Sequence, residues 1–468
     1  MTGLFGITST GNCISTLYHG VDYHSHLGTK YGGLAYIDGN SDPVKKIHEI
    51  DNSQFKSKFQ DLASVTDTRI AIGVISDRDP QPLTFVSKFG PFAVAVNGLI
   101  ENRDDLKDEM IERGTNFAEV YQGDVNQADL IANLINRGDT ITDGIMKMWD
   151  AIDGSVSILV MTPEGIIAAR DKHGVSPLVI GSGDGMWAVA SESSSFHNLG
   201  LKLHQYLRPG EIISIKDSGF EILDRAKGKL KICAFLWIYT GFPTSSYEGI
   251  NTEIVRERSG GLLARRDDVE ADMVAGVPDS GTAHAVGYAM ESGLPYRRVL
   301  MKYTPGYGRS YTPLTQEERD SVAKMKLIPN KATIEGNRII LCEDSIVRGT
   351  QLKNYTVTKM REAGAKEVHV RPACPPLMFP CKYMLSTRSK NELAARKAIE
   401  EIEGGATDDI SEYLDPDSEK YSRMVEWIRK DLGLDSLRYQ RIDDMIEAIG
   451  LPRDKLCLYC WSGEEITE

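Results

Sequence analysis

The chain has 468 residues, a formal net charge of −13 and 41% hydrophobic residues, which suits a globular protein of two or three domains, each with its own core. The acidic balance speaks against nucleic acid as a partner. With no apolar run near membrane length and no basic-then-apolar leader, the expectation is a cytoplasmic protein that does not engage a membrane.

The amino-terminal half reads as short apolar or alternating segments broken by glycine. Strands are expected at residues 34–37, 69–75, 92–97, 155–161, 165–170 and 187–190, and helices at 101–113 and 128–137. Many strands with a few helices make an α+β layered domain, closing near Gly210-Glu211-Ile212-Ile213. The segments Arg170-Asp171-Lys172-His173-Gly174-Val175-Ser176-Pro177-Leu178, Ala190-Ser191-Glu192-Ser193 and Pro209-Gly210-Glu211 resemble those of the class II glutamine amidotransferases, of the N-terminal-nucleophile hydrolase type. The resemblance implies such a domain over residues 1–230.

That family works with an N-terminal Cys, freed by Met removal, whose own α-amino group is the base. Thr2 stands at the nucleophile position here. The family's His-Arg-Gly-Gln segment becomes His26-Leu27-Gly28-Thr29. Its Gly-His-x-Arg-Tyr segment, whose Arg grips the substrate carboxylate, becomes Gly73-Val74-Ile75-Ser76-Asp77, with Arg78 off register. Its Ser-Asp-Ser-Glu segment, whose Asp binds the substrate ammonium, becomes Asn126-Gln127-Ala128-Asp129. Asn97-Gly98 persists and resembles the oxyanion-hole pair. A desolvated zwitterion needs both of its charges paired. The glutaminase site is therefore expected to be silent, with Asn97 and Gly98 kept as turn residues of the scaffold.

From about Lys231 strands and helices alternate, the α/β signature. Helical spacing covers residues 253–266. A short strand at 271–277 ends in Pro278-Asp279-Ser280-Gly281, and a helix with Ala283, Val286 and Ala289 follows. The most informative stretch is an apolar run from Ile339, then Glu343 and Asp344, then a turn with Arg348, Gly349 and Thr350, then helical spacing over 352–365 and a strand at 367–370. Turn N–H groups added to a helix N-terminus make an anion site. Gly349 allows close backbone approach, and Thr350 adds a hydroxyl donor. Two carboxylates beside that cradle suit ribose hydroxyls and a hard cation such as Mg²⁺.

The run Glu343-Asp344-Ser345-Ile346-Val347-Arg348-Gly349-Thr350 resembles the phosphoribosyl-pyrophosphate (PRPP) loop of type I phosphoribosyltransferases. Its wording is similar to that of the amidophosphoribosyltransferase family, with Glu343 where Asp is usual. The resemblance implies an α/β type I phosphoribosyltransferase domain over residues 231–468. It implies that Asp279, Ser280, Lys302, Glu343, Asp344, Ser345, Val347, Arg348, Gly349, Thr350 and Gln351 bind PRPP, with Mg²⁺ on Ser280, Glu343 and Asp344. The segment from Met301 to Tyr311 resembles the family's flexible loop, which implies that Arg309 closes over the site. Lys302, Gly308 and Arg309 match that loop, whereas Tyr303-Thr304-Pro305 replaces its Asn-Arg stretch.

Cys457-Leu458-Tyr459-Cys460 alone leaves a redox pair, a metal clip or chance open. With Cys233 and Pro380-Cys381 it resembles the ligand pattern of the family's iron–sulfur subset, which implies a [4Fe–4S] cluster on Cys233, Cys381, Cys457 and Cys460. Zinc also accepts four thiolates. As a whole the resemblance implies an enzyme of purine nucleotide biosynthesis, a homodimer or homotetramer. It would transfer phosphoribosyl from PRPP to ammonia, with glutamine a doubtful nitrogen source and purine nucleotides as effectors. Two rival readings are a non-catalytic PRPP- or nucleotide-binding regulatory paralogue and a phosphoribosyltransferase with another acceptor.

Overall fold

The computed structural model describes residues 2–39, 42–51, 53–121, 123–225, 228–303, 327–384 and 389–467. Its amino-terminal half holds two antiparallel sheets. One runs, strand by strand, Lys202–Tyr206, Val179–Gly183, Met186–Ala190, Thr2–Ser9, Thr68–Ser76, Tyr31–Asp38 and Val44–Glu49. The other runs Gly219–Asp224, Ile212–Lys216, Gly165–Ala169, Gly154–Thr162, Gly90–Ile100 and Leu83–Ser87.

Alternation along the strands explains how these sheets meet. Leu4, Ile72, Val74 and Val189 of the first pack with Ala93, Ala95, Leu159 and Ile213 of the second. The outer faces are apolar too. Phe5, Ile7 and Ile75 share a core with Leu17 and Val21 of the helix Ile14–Asp22. Val94, Val96 and Ile158 share another with the helices Gln127–Ile135 and Ile141–Ala151. Helix, sheet, sheet and helix therefore stack in layers.

Each expected strand and helix of this half is present, most of them longer than the local pattern indicates. Asn97 and Gly98 differ from expectation: they lie inside the strand Gly90–Ile100, not in a turn. Gly98 has φ +141°, and a Cβ there would stand 1.8 Å from the Ser155 carbonyl oxygen. Close strand pairing excludes a side chain at that position.

The carboxyl-terminal half is built on a parallel sheet in the order Met273–Gly276, Arg338–Glu343, Glu367–Pro372 and Ser436–Leu437. Ile339, Leu341, Val368 and Val370 face a core shared with the helices Ala394–Glu403 and Glu419–Leu432. Val274, Ile340 and Cys342 face the other side, with the helices Thr252–Arg265 and Thr282–Ser292. The helix expected at 352–365 opens as a π-helical turn, Leu352–Val357, before the α-helix Thr358–Glu362.

The helices Thr252–Arg265 and Thr282–Ser292 touch backbone to backbone: a Cβ on Gly260 would stand 1.9 Å from the His284 carbonyl oxygen, and one on Gly287 1.8 Å from that of Glu257. Just before them, the hairpin of Ser246–Tyr247 and Ile250–Asn251 turns at Glu248 and Gly249, with φ +50° and +82°. Asn251 then caps the helix Thr252–Arg265, accepting from Ile254 N–H at 3.2 Å. Among the described residues, no helix is long and apolar enough to cross a membrane.

Candidate active site

The acids sit where parallel-sheet geometry places ligand sites, at the carboxyl ends of adjacent strands. Arg338–Glu343 delivers Glu343 and Asp344, and Met273–Gly276 delivers the turn Asp279–Gly281. The two turns are stitched together: Val277 N–H donates to the Cys342 carbonyl at 3.0 Å, and Ser280 Oγ donates to Glu343 Oε1 at 2.8 Å. Glu343 Oε1 also accepts from the Asp344 N–H at 3.2 Å, and Ser345 Oγ donates to Asp344 Oδ2 at 2.6 Å. Burial, then the neighbouring Asp344 charge, pushes the Glu343 carboxyl well above its ordinary range. A cation arriving there would reverse that cost.

The next turn along the chain is held tightly by glycine and its neighbours. Gly349 is left-handed at φ +77°, and a Cβ there would press on Leu432 at 3.0 Å. Thr350 and Gln351 open the helical segment beyond it. Ala394 N–H donates to the Val347 carbonyl at 2.8 Å, anchoring the turn from behind. Arg348 pairs with Glu392 at 2.5 Å. A cleft of about 350 Å³ beside the turn is lined by Arg348, Thr350, Lys353, Lys397 and Trp427, among others. Lys302 Nζ meets Asp279 Oδ2 at 2.9 Å, so two further expected residues lie together at the strand ends. Arg309 lies outside the described residues.

The amino-terminal site is arranged differently. Thr2 is buried at the head of its strand, in register with Ser76. Asp77 Oδ1 accepts from the Thr29 N–H at 2.6 Å and from Thr29 Oγ1 at 2.9 Å. Arg78 Nε lies 4.0 Å from Asp79 Oδ2. Asp129 Oδ2 accepts from the N–H groups of Ala118 and Glu119 at 2.8 and 2.9 Å. Gln127 Nε2 donates to the Gly98 carbonyl at 3.2 Å, while its Oε1 is buried without a hydrogen-bond partner. The acids here satisfy backbone.

The four cysteines lie on segments that pack against one another. Cys233 and Cys457 are directly opposite in a parallel pair formed by Ile232–Cys233 and Leu456–Cys457. Cys381 and Cys460 pack in one cluster with Cys233, and Met378 and Phe379 N–H groups donate to the Cys460 carbonyl at 2.9 and 3.1 Å. Met384 N–H donates to Cys381 Sγ at 3.1 Å. Burial pushes the Cys457 thiol up to about 12 and the Cys233 thiol well up. Val175 packs on Cys457, and Cys233 N–H donates to the Val175 carbonyl at 3.2 Å, so this knot abuts the amino-terminal domain. Among the described residues no three His, Cys, Asp or Glu side chains are grouped as a site for a metal ion.

Sequence reasoning missed a buried polar node between the domains. Glu192 Oε1 accepts from Tyr247 Oη at 2.6 Å and from the Phe242 N–H at 3.2 Å. Its Oε2 lies 2.9 Å from His26 Nε2 and accepts from Ser245 Oγ at 3.2 Å. Nearby, Arg170 binds Glu248, at the tip of the hairpin, at 2.7 Å. The one signal available was an acidic residue inside the otherwise small and apolar Val189–Ser193 run.

Two layered sheets followed by a parallel sheet with an acidic strand end define a glutamine-amidotransferase-type domain joined to a phosphoribosyltransferase domain. Residues 67–198 match the glutamine amidotransferase domain family. The Methanocaldococcus jannaschii amidophosphoribosyltransferase is 32% identical over 100% of this chain and 98% of its own length. The structure of a Bacillus subtilis glutamine PRPP amidotransferase, solved with ADP and GMP, superposes with a TM-score of 0.84 at 31% identity, covering 100% of this chain and 97% of that one. A second structure, described as the allosteric regulatory enzyme of purine biosynthesis, gives 0.85 at 30% identity, with 100% and 96% covered. The chain belongs to the amidophosphoribosyltransferase family, a family of pentosyltransferases.

Proposed function

We propose that the chain transfers the phosphoribosyl group of PRPP to free ammonia, in purine nucleotide synthesis. The observation that carries this reading is the Ser280–Glu343–Asp344 group beside the Gly349 turn. The nitrogen lone pair forms the bond to the ribose anomeric carbon as the bond to pyrophosphate breaks, and the extra ammonium proton passes to solvent. Backbone N–H groups from Val347 to Gln351 hold the 5-phosphate, and Glu343 and Asp344 hold ribose hydroxyls. Ser280 faces pyrophosphate, and Asp279 and Lys302 also contact PRPP. Hard oxygens of Ser280, Glu343 and Asp344 suit Mg²⁺, whose charge would shield the leaving group.

The glutaminase domain, residues 1–230, is silent in this reading. Asp77 and Asp129 are occupied by Thr29 and by backbone, and Gln127 replaces the ammonium-binding carboxylate. The transferase domain, residues 231–468, carries a [4Fe–4S] cluster on Cys233, Cys381, Cys457 and Cys460. What supports this is four buried or half-buried thiols on segments that pack against one another, two of them opposite in a strand pair. A dimer or tetramer under purine nucleotide control completes the reading.

The test is pyrophosphate release from Mg²⁺ and PRPP by anaerobically purified protein, with ammonia and with glutamine in parallel. Turnover with ammonia alone is expected. PRPP binding without release would favour the regulatory paralogue, toward which the Tyr303-Thr304-Pro305 departure points.

A further inference from the structure

The Glu192 carboxylate is the junction of the two domains. It belongs to the amino-terminal domain, yet three of its contacts come from the other domain, the Tyr247 and Ser245 hydroxyls and the Phe242 N–H, beside His26 of its own. Ser193 reinforces the join, its hydroxyl accepting from the Ser246 N–H at 2.9 Å. A buried carboxylate is tolerated only when its oxygens are satisfied, and here most of the satisfying donors come from the other domain, in and just before its hairpin.

From that hairpin a rigid path leads to the strand ends. The hairpin runs directly into the helix Thr252–Arg265, whose buried Arg256 clamps the carbonyls of Trp237, Tyr239 and Gly241 at 2.9, 2.9 and 2.7 Å. His284, on the next helix, sets Nδ1 3.1 Å from the Arg256 carbonyl oxygen and Nε2 3.2 Å from that of Ile238, its single N–H donating to one of them. Contacts at Gly260 and Gly287 leave no room for one helix to move without the other. The second helix starts at Thr282, and a Cβ on Gly281 would stand 2.1 Å from the Cys342 carbonyl oxygen. Ser280, the partner of Glu343, is the residue just before Gly281.

We propose that Glu192 is a positioning residue for phosphoribosyl transfer, fixing through the 246–251 hairpin and the close-packed helix pair where Ser280 meets Glu343. The silent glutaminase domain then keeps a task, as the abutment of the transferase site. The proposal rests on the PRPP-site reading above.

The test measures ammonia-dependent pyrophosphate release against PRPP concentration for wild type, Glu192→Gln, Glu192→Ala and Tyr247→Phe, with active sites counted by bound PRPP. Loss of one or more buried hydrogen bonds at such a node should raise the KM for PRPP about tenfold in Glu192→Ala. Tyr247→Phe, which removes a single hydroxyl, should show a smaller rise, and Glu192→Gln, which still accepts from Tyr247, should recover part of the loss. The kcat per bound site should hold. A role confined to stability would instead lower the number of active sites at an unchanged KM, and that result would overturn the proposal. Failure of the wild-type chain to bind PRPP would overturn the PRPP reading and this one together; wild-type binding with an unchanged KM in all variants would overturn this one alone.

Discussion

Ser280 donates its hydroxyl to Glu343 across 2.8 Å, joining two turns 63 residues apart at the open end of the parallel sheet. The bond ties the two turns together, so each side chain fixes the other; in the proposed reading both face the ligand. Glu343→Ala and Asp344→Ala should each lower kcat/KM for PRPP about a hundredfold, the usual scale for deleting a group that faces developing charge. Ser280→Ala should cost about tenfold, mostly in KM. Initial rates of pyrophosphate release give these numbers, and an Asp344→Ala protein as active as wild type would remove this loop from the chemistry.

In the proposed reading Thr2 stands at a nucleophile position whose substrate-binding groups are replaced. Thr2→Ala should therefore leave ammonia-dependent turnover within about twofold of wild type. Thr2→Cys should not gain glutamine hydrolysis, because a competent thiol still needs a paired substrate. Glutamate formation by the Cys variant would show that the binding half of the site survives.

The cysteine knot predicts a metal content. Anaerobic protein should carry about four iron atoms per chain with visible charge-transfer absorption, and little zinc. Cys457→Ser should lose that absorption and unfold at lower temperature, since two chain segments are tied there. Stoichiometric zinc with no iron would assign the knot to zinc instead.

Acid should loosen the domain junction. Burial holds the His284 imidazole down to about 3 from an ordinary 6.5. Between those values the unfolded chain binds the proton and the folded one does not, so stability rises with pH. The His284 contribution is complete above 6.5 and is lost as pH falls toward 3. For Glu192, burial alone would raise the carboxyl, but the His26 charge and hydrogen bond prevail and bring it to about 2 from 4.5. Its contribution is complete above 4.5 and is lost as pH falls toward 2. Both act in the same direction. The urea midpoint should drop steadily from pH 7 to pH 4, and His284→Asn should flatten the upper part of that slope; a level midpoint in wild type would contradict this.

Much of the candidate site could be read locally. Glu343, Asp344, Gly349 and Thr350 sit within eight residues of one another, and an apolar strand followed by acids, glycine and a hydroxyl is a sequential pattern. The cysteines were legible through resemblance, since positions 233 and 457 meet only because a parallel pair brings them together. The Glu192–Tyr247 contact spans 55 residues and two domains. Nothing in the periodicity of either segment announces it, because burial of a charge is decided by what the other domain supplies. Likewise, spacing over 352–365 reports which face is apolar, not the π-helical turn with which the segment begins.

The pairing of Ile232–Cys233 with Leu456–Cys457 also orders events during synthesis. The first of these strands leaves the ribosome with the layered domain already made, but its neighbour is translated more than two hundred residues later. The thiols at 233 and 381 must wait, solvated and oxidisable, until the last of the four has emerged. Closing this seam therefore falls at the end of translation, and a chain truncated before residue 456 would be left with an open seam rather than a shortened tail.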